Sequence, residues 1–431
     1  MTVNLARDAV GLPVPETADS EVIKNARILI ADDDPLCRQL VGGILRAQNF
    51  KNLQFAAGGL EAMEQVRSFR PDLLLLDMQM PDMNGLDVCK QVRADPEFAD
   101  VPVLIQTATV DRKKMGELFS SGASDFLSKP VTPSELIARV IIHLERWNSL
   151  RELRDYRERI SRELEAARRM QFELLPAPAM LHQFAEAVGL RIASYDRSSS
   201  ELGGDLWGML PIDGSSFGIF LADFTGHGVN AALNTFRLHA LIHEYRLLHS
   251  DPAGLLSMLN ERLVRLLPPG QFATFLHVVV DHNEGTLRFA SAGAPPMILV
   301  PGIAERAALC DASGLPLGIE RGTQYRLHQC DFPPDSRLLL FSDGLSEFPD
   351  GGNRIGDDGL VKALDDCHPG LTPHQVLARL CEIAGITENK VLPDDTTIIC
   401  VDRRIGAKAA GRDCVFVPDG PALSPWPTGA V

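Results

Sequence analysis

The sequence predicts two folded domains of different class that are joined by a long helix. Over residues 26–145, short apolar runs alternate with amphipathic segments of helix length, which predicts an α/β doubly wound parallel sheet. Between Pro133 and Leu175 there is no further proline or glycine, which predicts a helical coiled-coil linker over residues 146–176. Residues 185–403 carry strand patterns that are grouped apart from helical patterns, and they predict an α+β layered β-sandwich flanked by helices.

The composition supports a protein with more than one folded domain. At 431 residues the chain is longer than one ordinary hydrophobic core requires. Hydrophobic residues make up 45% and charged residues 23%, close to the averages of globular proteins, so most of the chain should fold. The flanking segments 1–25 and 404–431 lack periodicity and are rich in turn-forming or small residues, so we expect both to be disordered.

Charge and apolar patterning exclude several classes of partner. The formal net charge of −15 opposes binding to phosphate backbones, so we expect no nucleic acid partner. No signal peptide is recognisable and no run of about 18 apolar residues occurs, which predicts a cytoplasmic protein without a membrane partner. The eight cysteines include no C-x-x-C pair, so we expect neither a zinc cluster nor a redox dithiol.

The first domain is predicted from three apolar runs and the amphipathic segments around them. The strands are predicted at 26–31, 73–76 and 103–105, and the helices at 35–48, 59–68 and 85–93. Alternation at this spacing is typical of a parallel sheet that helices cover on both faces.

The linker helix has a regular apolar face. Its apolar positions, here called the seam, step by three or four residues and average about 3.4, close to the coiled-coil repeat. They are Leu150, Leu153, Tyr156, Ile160, Leu164, Ala167, Met170 and Leu174. The seam favours a homodimer through the linker, and the alternative is a single amphipathic helix that docks on the second domain.

The second domain is predicted from seven strand patterns and four helical ones. The strands are predicted at 190–195, 205–211, 216–222, 272–280, 286–290, 337–341 and 396–401, and the helices at 229–248, 253–267, 356–366 and 373–384. A hairpin turn is predicted at 281–285.

Polar residues of the first domain follow its predicted strands. Asp32 and Asp33 end the first strand, Asp77 follows the second, Thr107 follows the third, and Lys129 precedes Pro130. Because the carboxyl ends of parallel strands meet at one edge, these side chains should share a crevice. Three carboxylates require a cation such as Mg²⁺, and a hydroxyl and an ammonium would hold the oxygens of a phosphoryl group on Asp77.

With these residues in this order, residues 26–145 resemble a response-regulator receiver domain. The successive steps are 44 residues from Asp33 to Asp77, 30 from Asp77 to Thr107 and 22 from Thr107 to Lys129, as in that family. The resemblance implies that Asp77 takes a phosphoryl group from a sensor histidine kinase. It also implies that Asp32 and Asp33 help Asp77 bind Mg²⁺, and that Thr107, Lys129 and the aromatic residue Phe126 respond to phosphorylation. Phe126 lacks the hydroxyl of the tyrosine that is frequent at its position.

In the second domain, aspartates stand beside glycines or turns at strand ends. They occur in Gly204-Asp205, Asp223-Phe224, Asp343-Gly344 and Asp394-Asp395. Glycine lets backbone and bound ions approach closely. A set of carboxylates without cysteine favours Mg²⁺ or Mn²⁺ over zinc, and two such ions can clamp a phosphate and acidify a bound water.

In this order, residues 190–402 resemble a metal-dependent protein phosphatase of the PPM class, in its SpoIIE/RsbU-like branch. The helix end at 167–176 is also similar to the helix that precedes that domain. The resemblance implies that two Mn²⁺ or Mg²⁺ ions are held by Asp205, Asp223, Asp343, Asp394 and the carbonyl of Phe224, and that water attacks phosphorus without a covalent enzyme intermediate.

Other positions depart from the family pattern or leave their roles open. Asp395 either serves the site or only orients Asp394 or its strand. His227 either contacts phosphate or merely begins a helix. Gly208 and Ala294 stand where relatives often carry an acid and a histidine, which puts an accessory metal in doubt. Ser342 and Thr397 are interpreted as turn and strand residues.

Together these patterns predict a two-component response regulator in which phosphorylation of Asp77 controls a serine/threonine protein phosphatase. The resemblance implies a phosphorylated anti-sigma factor antagonist as substrate. An alternative is a catalytically idle phosphatase-like module that sequesters a partner according to the receiver state. A DNA-binding response regulator is disfavoured because no basic recognition helix is present.

Overall fold

The computed structural model describes most of the chain in two compact units, residues 1–160 and 161–431. The described residues are 20–108, 120–177, 179–181, 189–226, 228–302, 305–347, 349–350, 353–368, 370–387, 390, 392–403 and 417–418.

The first unit contains a five-stranded parallel sheet. Its strands are β1 (Arg27–Ala31), β2 (Asn52–Ala56), β3 (Leu73–Asp77), β4 (Val103–Thr107) and β5 (Asp125–Ser128), in the order β2-β1-β3-β4-β5. Its helices are α1 (Ser20–Lys24), α2 (Pro35–Ala47), α3 (Gly59–Phe69), α4 (Gly85–Ala94) and α5 (Pro133–Phe172), the last of which continues into the second unit. The predicted doubly wound parallel sheet is confirmed.

The core of the first unit lies on both faces of this sheet, because the central strands are apolar throughout. Strand β3 is buried at all five positions. Its Leu74 and Leu76 pack with α3 and α4, whereas Leu73 and Leu75 pack with α2 and the first turns of α5. In β3 the only polar residue, Asp77, stands at the carboxyl end of the strand.

The helix α5 is 40 residues long and changes character along its length. Its first turns bury Leu136, Val140 and Leu144 against the sheet. Further along, Arg154 pairs with Asp100 at 2.5 Å. Every seam residue is exposed or half-buried, including Leu153 at 63% exposure.

The second unit is built on two mostly antiparallel sheets. The first has the order β13-β10-β9-β8-β7 and the second β12-β11-β14-β17-β6-β18. The strands are β6 (Leu190–Arg197), β7 (Asp205–Pro211), β8 (Ser216–Phe224), β9 (Ala273–Asp281), β10 (Thr286–Ala292), β11 (Met297–Val300), β12 (Ala308–Cys310), β13 (His328–Asp331), β14 (Arg337–Phe341), β15 (Pro349–Asp350), β16 (Asn353–Arg354), β17 (Thr396–Arg403) and β18 (Val417–Pro418).

Helices cover both outer faces of the pair of sheets. They are α6 (Val229–Glu244), α7 (Pro252–Leu266), α8 (Asp343–Ser346), α9 (Gly356–Asp365) and α10 (Pro373–Ile383), with a 3-10 turn at Arg246–Leu248. One apolar cluster, which includes Trp207, Phe217 and Ile399, fills the space between the sheets. Two further clusters join α6 and α7 to the first sheet, and α9 and α10 to the second. The predicted β-sandwich flanked by helices is confirmed.

The structure corrects the predictions for both ends of the chain where it describes them. Residues 20–24 form α1 within the segment predicted to be disordered, because Ile23 is buried in the core of the first unit. Val417 and Pro418 pair with Tyr195 and Asp196 of β6 within the predicted disordered tail. The rest of the predictions for 1–25 and 404–431 falls on residues 1–19, 404–416 and 419–431, which lie outside the described residues. Among the helices of the described residues, none is both long and apolar enough to cross a membrane.

Candidate functional site

Three carboxylates meet at the carboxyl edge of the parallel sheet. Asp32 and Asp33 follow β1, Asp77 ends β3, and these two strands are neighbours. One oxygen of each lies within 4.8 Å of the others. Lys129 joins them, since its Nζ lies 2.8 Å from Asp32 Oδ2 and 2.6 Å from Asp77 Oδ1. The arrangement combines oxygen ligands for a divalent cation with one ammonium group.

The Asp77 side chain is buried, and the backbone of Gly85 lies close to the Asp77 peptide. Burial raises the pKa of Asp77, and the hydrogen bond from Lys129 opposes that effect. Gly85 packs against the Asp77 peptide, where a Cβ atom would come within 2.2 Å of the carbonyl oxygen. A glycine at position 85 therefore permits helix α4 to start beside the carboxylate.

Thr107 and Phe126 lie on the neighbouring strands β4 and β5. Thr107 is buried at the end of β4, and its carbonyl accepts a hydrogen bond from the Lys129 amide at 2.8 Å. Phe126 is half-buried, packs against the core, and has the Arg139 guanidinium 5.6 Å from its ring centroid. Thr107 and Phe126, two of the three predicted phosphate-sensing residues, thus lie on β4 beside the strand of Asp77 and on β5, which Lys129 follows.

In the second unit, Asp205 and Asp223 are direct partners on adjacent strands. Asp205 begins β7 and faces Asp223 near the end of β8 in the antiparallel register. Gly204 lies against the Phe224 peptide, where a Cβ atom would be 2.9 Å from the carbonyl oxygen. Because Gly204 has no side chain, the backbone directly before Asp205 can approach the Phe224 carbonyl.

Asp343 and Asp394 come from the opposite sheet. Asp343 begins α8 directly after β14, and Asp394 precedes β17. A Cβ atom on Gly344 would lie 1.9 Å from the Asp395 carbonyl oxygen, so glycine is needed where α8 meets that loop. The chain thereby brings two further carboxylates to the same end of the sandwich.

Ser342 and Thr397 do more than form a turn and a strand. The Thr397 hydroxyl donates to Asp205 Oδ2 at 2.7 Å and so links β17 of one sheet to β7 of the other. The Ser342 hydroxyl accepts from the Thr397 amide at 2.9 Å. The prediction of purely structural roles missed this contact with the carboxylate cluster.

The carboxylates of Asp205, Asp223, Asp343 and Asp394 repel one another. Burial raises the pKa of Asp223 to about 8, and the charges of Asp343 and Asp394 add to the shift. Burial and the charge of Asp223 also raise the pKa of Asp205 well above its usual range. The buried Oδ1 of Asp205 has no hydrogen-bond partner among the described residues. An orphaned carboxylate oxygen among repelling acids fits a site for divalent cations.

The phosphatase-like cluster is spread more widely than the receiver cluster. Within the described residues, only Asp32, Asp33 and Asp77 bring three acidic ligand atoms within 4.8 Å of one another. Asp205 and Asp223 come from one sheet, whereas Asp343 and Asp394 come from the other. Such spacing suits ligands that are divided between two ions.

Asp395 has a defined structural task. Its Oδ1 accepts hydrogen bonds from the Ser199 amide at 2.6 Å and the Ser199 hydroxyl at 3.0 Å. Its Oδ2 accepts from the Gly204 amide at 2.5 Å. Asp395 therefore holds the loop before Asp205, a contact across more than 190 residues that local sequence patterns do not reveal.

The last turn of α5 reaches the same loop. Gln171 Nε2 donates to the Gly203 carbonyl at 2.7 Å and to the Thr235 hydroxyl at 3.1 Å. A cavity of about 20 Å³ lies beside it and is lined by residues that include Gln171, Asp205 and Asp395. The sequence pattern included Gln171 in the linker end but assigned it no role.

The structure explains one departure from the family pattern. A Cβ atom on Gly208 would lie 2.6 Å from the Phe220 ring, so an acidic side chain does not fit there without displacing Phe220. Ala294 packs against the core between the sheets. His227 lies outside the described residues, and its two possible roles remain predictions.

Comparison with known families separates the chain in the same way. Residues 28–141 match the family model described as response regulator receiver domain. Residues 213–404 match the family model described as Stage II sporulation protein E (SpoIIE). The second match includes Asp223, Asp343 and Asp394, whereas Asp205 precedes its first residue.

Individual relatives resemble one part of the chain or the other. The DNA-binding response regulator MtrA of Mycolicibacterium smegmatis is 42% identical over 120 residues, which are 28% of this chain and 51% of that protein. The chain thus spans about half the length of the curated relatives it matches. A putative response regulator from Chloroflexus aurantiacus is 35% identical, with a TM-score of 0.27, over 28% of this chain and 98% of that one. The SiaA-PP2C domain of Pseudomonas aeruginosa is 22% identical, with a TM-score of 0.49, over 57% of this chain and 98% of that one.

Proposed function

Because this chain joins a response regulator receiver domain to a SpoIIE-type phosphatase domain, we propose that phosphorylation of Asp77 controls hydrolysis of phosphoserine or phosphothreonine on a protein substrate. The observation that carries the enzymatic part is the cluster of Asp205, Asp223, Asp343 and Asp394. Its repelling carboxylates, with the orphaned oxygen of Asp205, are suited to cations rather than to a passive structural role.

Two Mn²⁺ or Mg²⁺ ions would be held by Asp205, Asp223, Asp343, Asp394 and the carbonyl of Phe224. When bound, such ions neutralise the charge of a phosphate group and make a water nucleophilic near neutral pH. The protein's own part is to keep these ligands in place. Thr397 orients Asp205 through its hydroxyl, and Asp395 fixes the loop that precedes Asp205.

In the receiver domain, Asp77 is the proposed phosphoacceptor and a sensor histidine kinase the proposed donor. Asp32, Asp33 and Asp77 would hold Mg²⁺, which balances charge on the incoming phosphoryl group. The ammonium of Lys129 is already within 2.6 Å of Asp77 and would move to an oxygen of the phosphoryl group. The Thr107 hydroxyl and the Phe126 ring would then change position as the sensing residues.

The helix α5 is the proposed route between the two domains. Its exposed seam supports a homodimer, because Leu150, Leu153 and Tyr156 are exposed apolar side chains at coiled-coil spacing. At its other end, Gln171 contacts Gly203, two residues before Asp205. A shift of this helix on phosphorylation would therefore move the loop that carries a proposed metal ligand.

A phosphorylated anti-sigma factor antagonist is the proposed substrate. The support for it is the resemblance to the SpoIIE/RsbU-like branch. Dephosphorylation of such a substrate would change transcription without DNA contact by this chain. The net charge of −15 is consistent with that indirect output.

Hydrolysis of p-nitrophenyl phosphate by the full chain tests the enzymatic proposal. We expect turnover that requires Mn²⁺ or Mg²⁺ and disappears with EDTA. It should fall at least about 100-fold in Asp343→Asn, since the two metal ions lose one of their ligands. Asp358→Asn, an exposed acid on α9, should retain full activity. Absence of turnover in the wild-type protein with either ion would favour the idle binding module instead.

A further inference from the structure

Two cysteines stand on the edges of opposite sheets in the phosphatase domain. Cys310 ends β12, the first strand of the six-stranded sheet. Cys330 lies in β13, the first strand of the five-stranded sheet. The two residues are 20 positions apart in the sequence and show no C-x-x-C signature, so the sequence predicted no redox dithiol.

Both side chains turn inward, to the space between the sheets. In the registers of their strands, Cys310 pairs with Met297 and Cys330 pairs with Leu287. Met297, Leu287 and both cysteines belong to, or pack against, the same apolar cluster between the sheets. Each thiol therefore lies on an edge strand, on the side that faces the space between the sheets.

Both thiols are partly exposed, and they lie near enough for each to shift the pKa of the other. The hydrogen bond from Cys330 lowers the pKa of the Cys310 thiol, although burial opposes this. The same hydrogen bond, with burial, raises the pKa of Cys330. Cys310 is thus the better nucleophile of the pair, and Cys330 is held as the proton-bearing partner.

We propose that Cys310 and Cys330 form a reversible disulfide that links the two sheets when the protein meets a peroxide. The Cys310 thiolate attacks a peroxide oxygen, the O–O bond breaks, and one water leaves after protonation, which gives a sulfenic acid. Cys330, having lost its proton, attacks that sulfur and displaces the second water. Two thiols are oxidised by two electrons in total, and one hydrogen peroxide is reduced to two waters.

The positions of the two strands allow this bond to form at low structural cost. Strand β12 has three residues and β13 has four, and each sits at the edge of its sheet with one pairing partner. Short edge strands can shift toward one another without breaking the central ladders. A small oxidant can reach the pair because neither side chain is fully buried.

The disulfide would restrain the segment that crosses from one sheet to the other. Within that segment Leu317 exchanges backbone hydrogen bonds with Ala273. Ala273 in turn pairs with Phe224, whose carbonyl is a proposed metal ligand. Oxidation thus fixes both ends of a segment that is anchored beside the proposed active site.

Peptide mapping of the full chain tests the proposal directly. The reduced protein is treated with hydrogen peroxide, free thiols are alkylated, and the tryptic digest is analysed by mass spectrometry without reduction. Arginines at 306, 321, 326 and 337 place the two cysteines in separate peptides, 307–321 and 327–337. We expect these two peptides to appear covalently linked and to separate on reduction.

Variants and thermal melting complete the test. Cys310→Ser and Cys330→Ser should each abolish the linked peptides, whereas Cys367→Ser and Cys381→Ser should leave them intact. Oxidation should raise the Tm of the wild-type protein by several degrees and should not raise that of Cys330→Ser. Alkylation of both cysteines after peroxide treatment, or linkage of either to a different cysteine, would overturn the proposal whether or not the protein is a phosphatase.

Discussion

Gln171 and Gly203 are joined by two reciprocal hydrogen bonds. The Gln171 side-chain amide donates to the Gly203 carbonyl at 2.7 Å, and the Gly203 amide donates to Gln171 Oε1 at 3.3 Å. Gln171 belongs to the last turns of the 40-residue helix that begins in the receiver domain, and Gly203 precedes Asp205 by two residues. One contact therefore connects the linker helix to the backbone of a proposed metal ligand.

The first prediction concerns this contact. Gln171→Ala removes both hydrogen bonds, each worth about 1 kcal/mol, and we expect kcat to fall about tenfold because the Asp205 loop loses its anchor. The drop should appear at saturating Mn²⁺ in steady-state assays. Gln324→Ala, at an exposed position in the same domain, serves as the control. A Gln171→Ala enzyme with normal kcat and a normal response to phosphorylation would contradict this role.

Asp395 should act as a positioning residue. Its two carboxylate oxygens accept from the amides of Ser199 and Gly204, and asparagine has only one acceptor oxygen. Asp395→Asn should therefore leave one amide unsatisfied, lower stability by about 1–3 kcal/mol, and raise the Mn²⁺ concentration needed for half-maximal activity. Ser199→Ala, which keeps both amides paired, should change the Mn²⁺ requirement less. An unaltered Mn²⁺ titration in Asp395→Asn would show that the loop does not depend on it.

The acidic cluster predicts an unusual pH dependence of stability without metal. The folded-state pKa of Asp223, about 8, lies above its unfolded value of 3.8, so between these values the folded protein binds more protons than the unfolded chain. The contribution of Asp223 to stability must fall as pH rises through this window. In EDTA, Asp223→Asn should therefore melt at the same temperature as the wild type near pH 4 and roughly 4 °C or more above it at pH 8.

Added Mn²⁺ supplies the control for this effect. At pH 8 it should raise the Tm of the wild type more than that of Asp223→Asn, because the ion relieves the repulsion among the carboxylates. A difference in Tm between the two proteins that stays constant from pH 4 to pH 8 would refute the shifted pKa.

The linker prediction rests on the seam. Replacement of Ile160 and Leu164 by glutamate puts charge on the half-buried face of α5 and should weaken self-association, measured by sedimentation. We expect the phosphatase rate of this variant to lose its response to phosphorylation, with basal metal-dependent turnover retained. Arg159→Glu combined with Ala166→Glu changes exposed positions off the seam and should respond normally. A normal response in the seam variant would mean that coupling does not depend on this helix face.

Much of the fold was predictable because apolar periodicity is strong in both halves. The strand at Asp205–Pro211 and the strand at Arg337–Phe341 were predicted with their observed limits. Strand β2, with the sequence NLQFA, was missed because it is an edge strand whose side chains are mostly exposed or half-buried. Strands β12 and β13 were missed for the same reason, since three or four residues at an edge give no usable period.

The site residues that could be predicted are those that belong to short motifs at strand ends. Asp77 ends an apolar strand and Asp343 follows one after a single residue, a pattern that points to the sheet edge. Asp395, Thr397 and Gln171 reach their partners across 32 to 196 residues, and nothing near them in the sequence names those partners. Their contacts form only when whole strands and helices pack together, and local sequence patterns do not predict that packing.

The central claim, that phosphorylation of Asp77 sets the rate of the phosphatase, is tested most directly by one comparison. The rate of phosphoserine hydrolysis by the full chain is measured in Mn²⁺ before and after treatment with acetyl phosphate, in the wild type and in Asp77→Asn. Asparagine keeps the shape of the side chain but cannot accept the phosphoryl group. The account predicts a changed rate in the wild type and an unchanged rate in Asp77→Asn. The account would be contradicted if the wild type became phosphorylated and its rate stayed the same. It would also be contradicted if acetyl phosphate changed the rate of Asp77→Asn as much as that of the wild type.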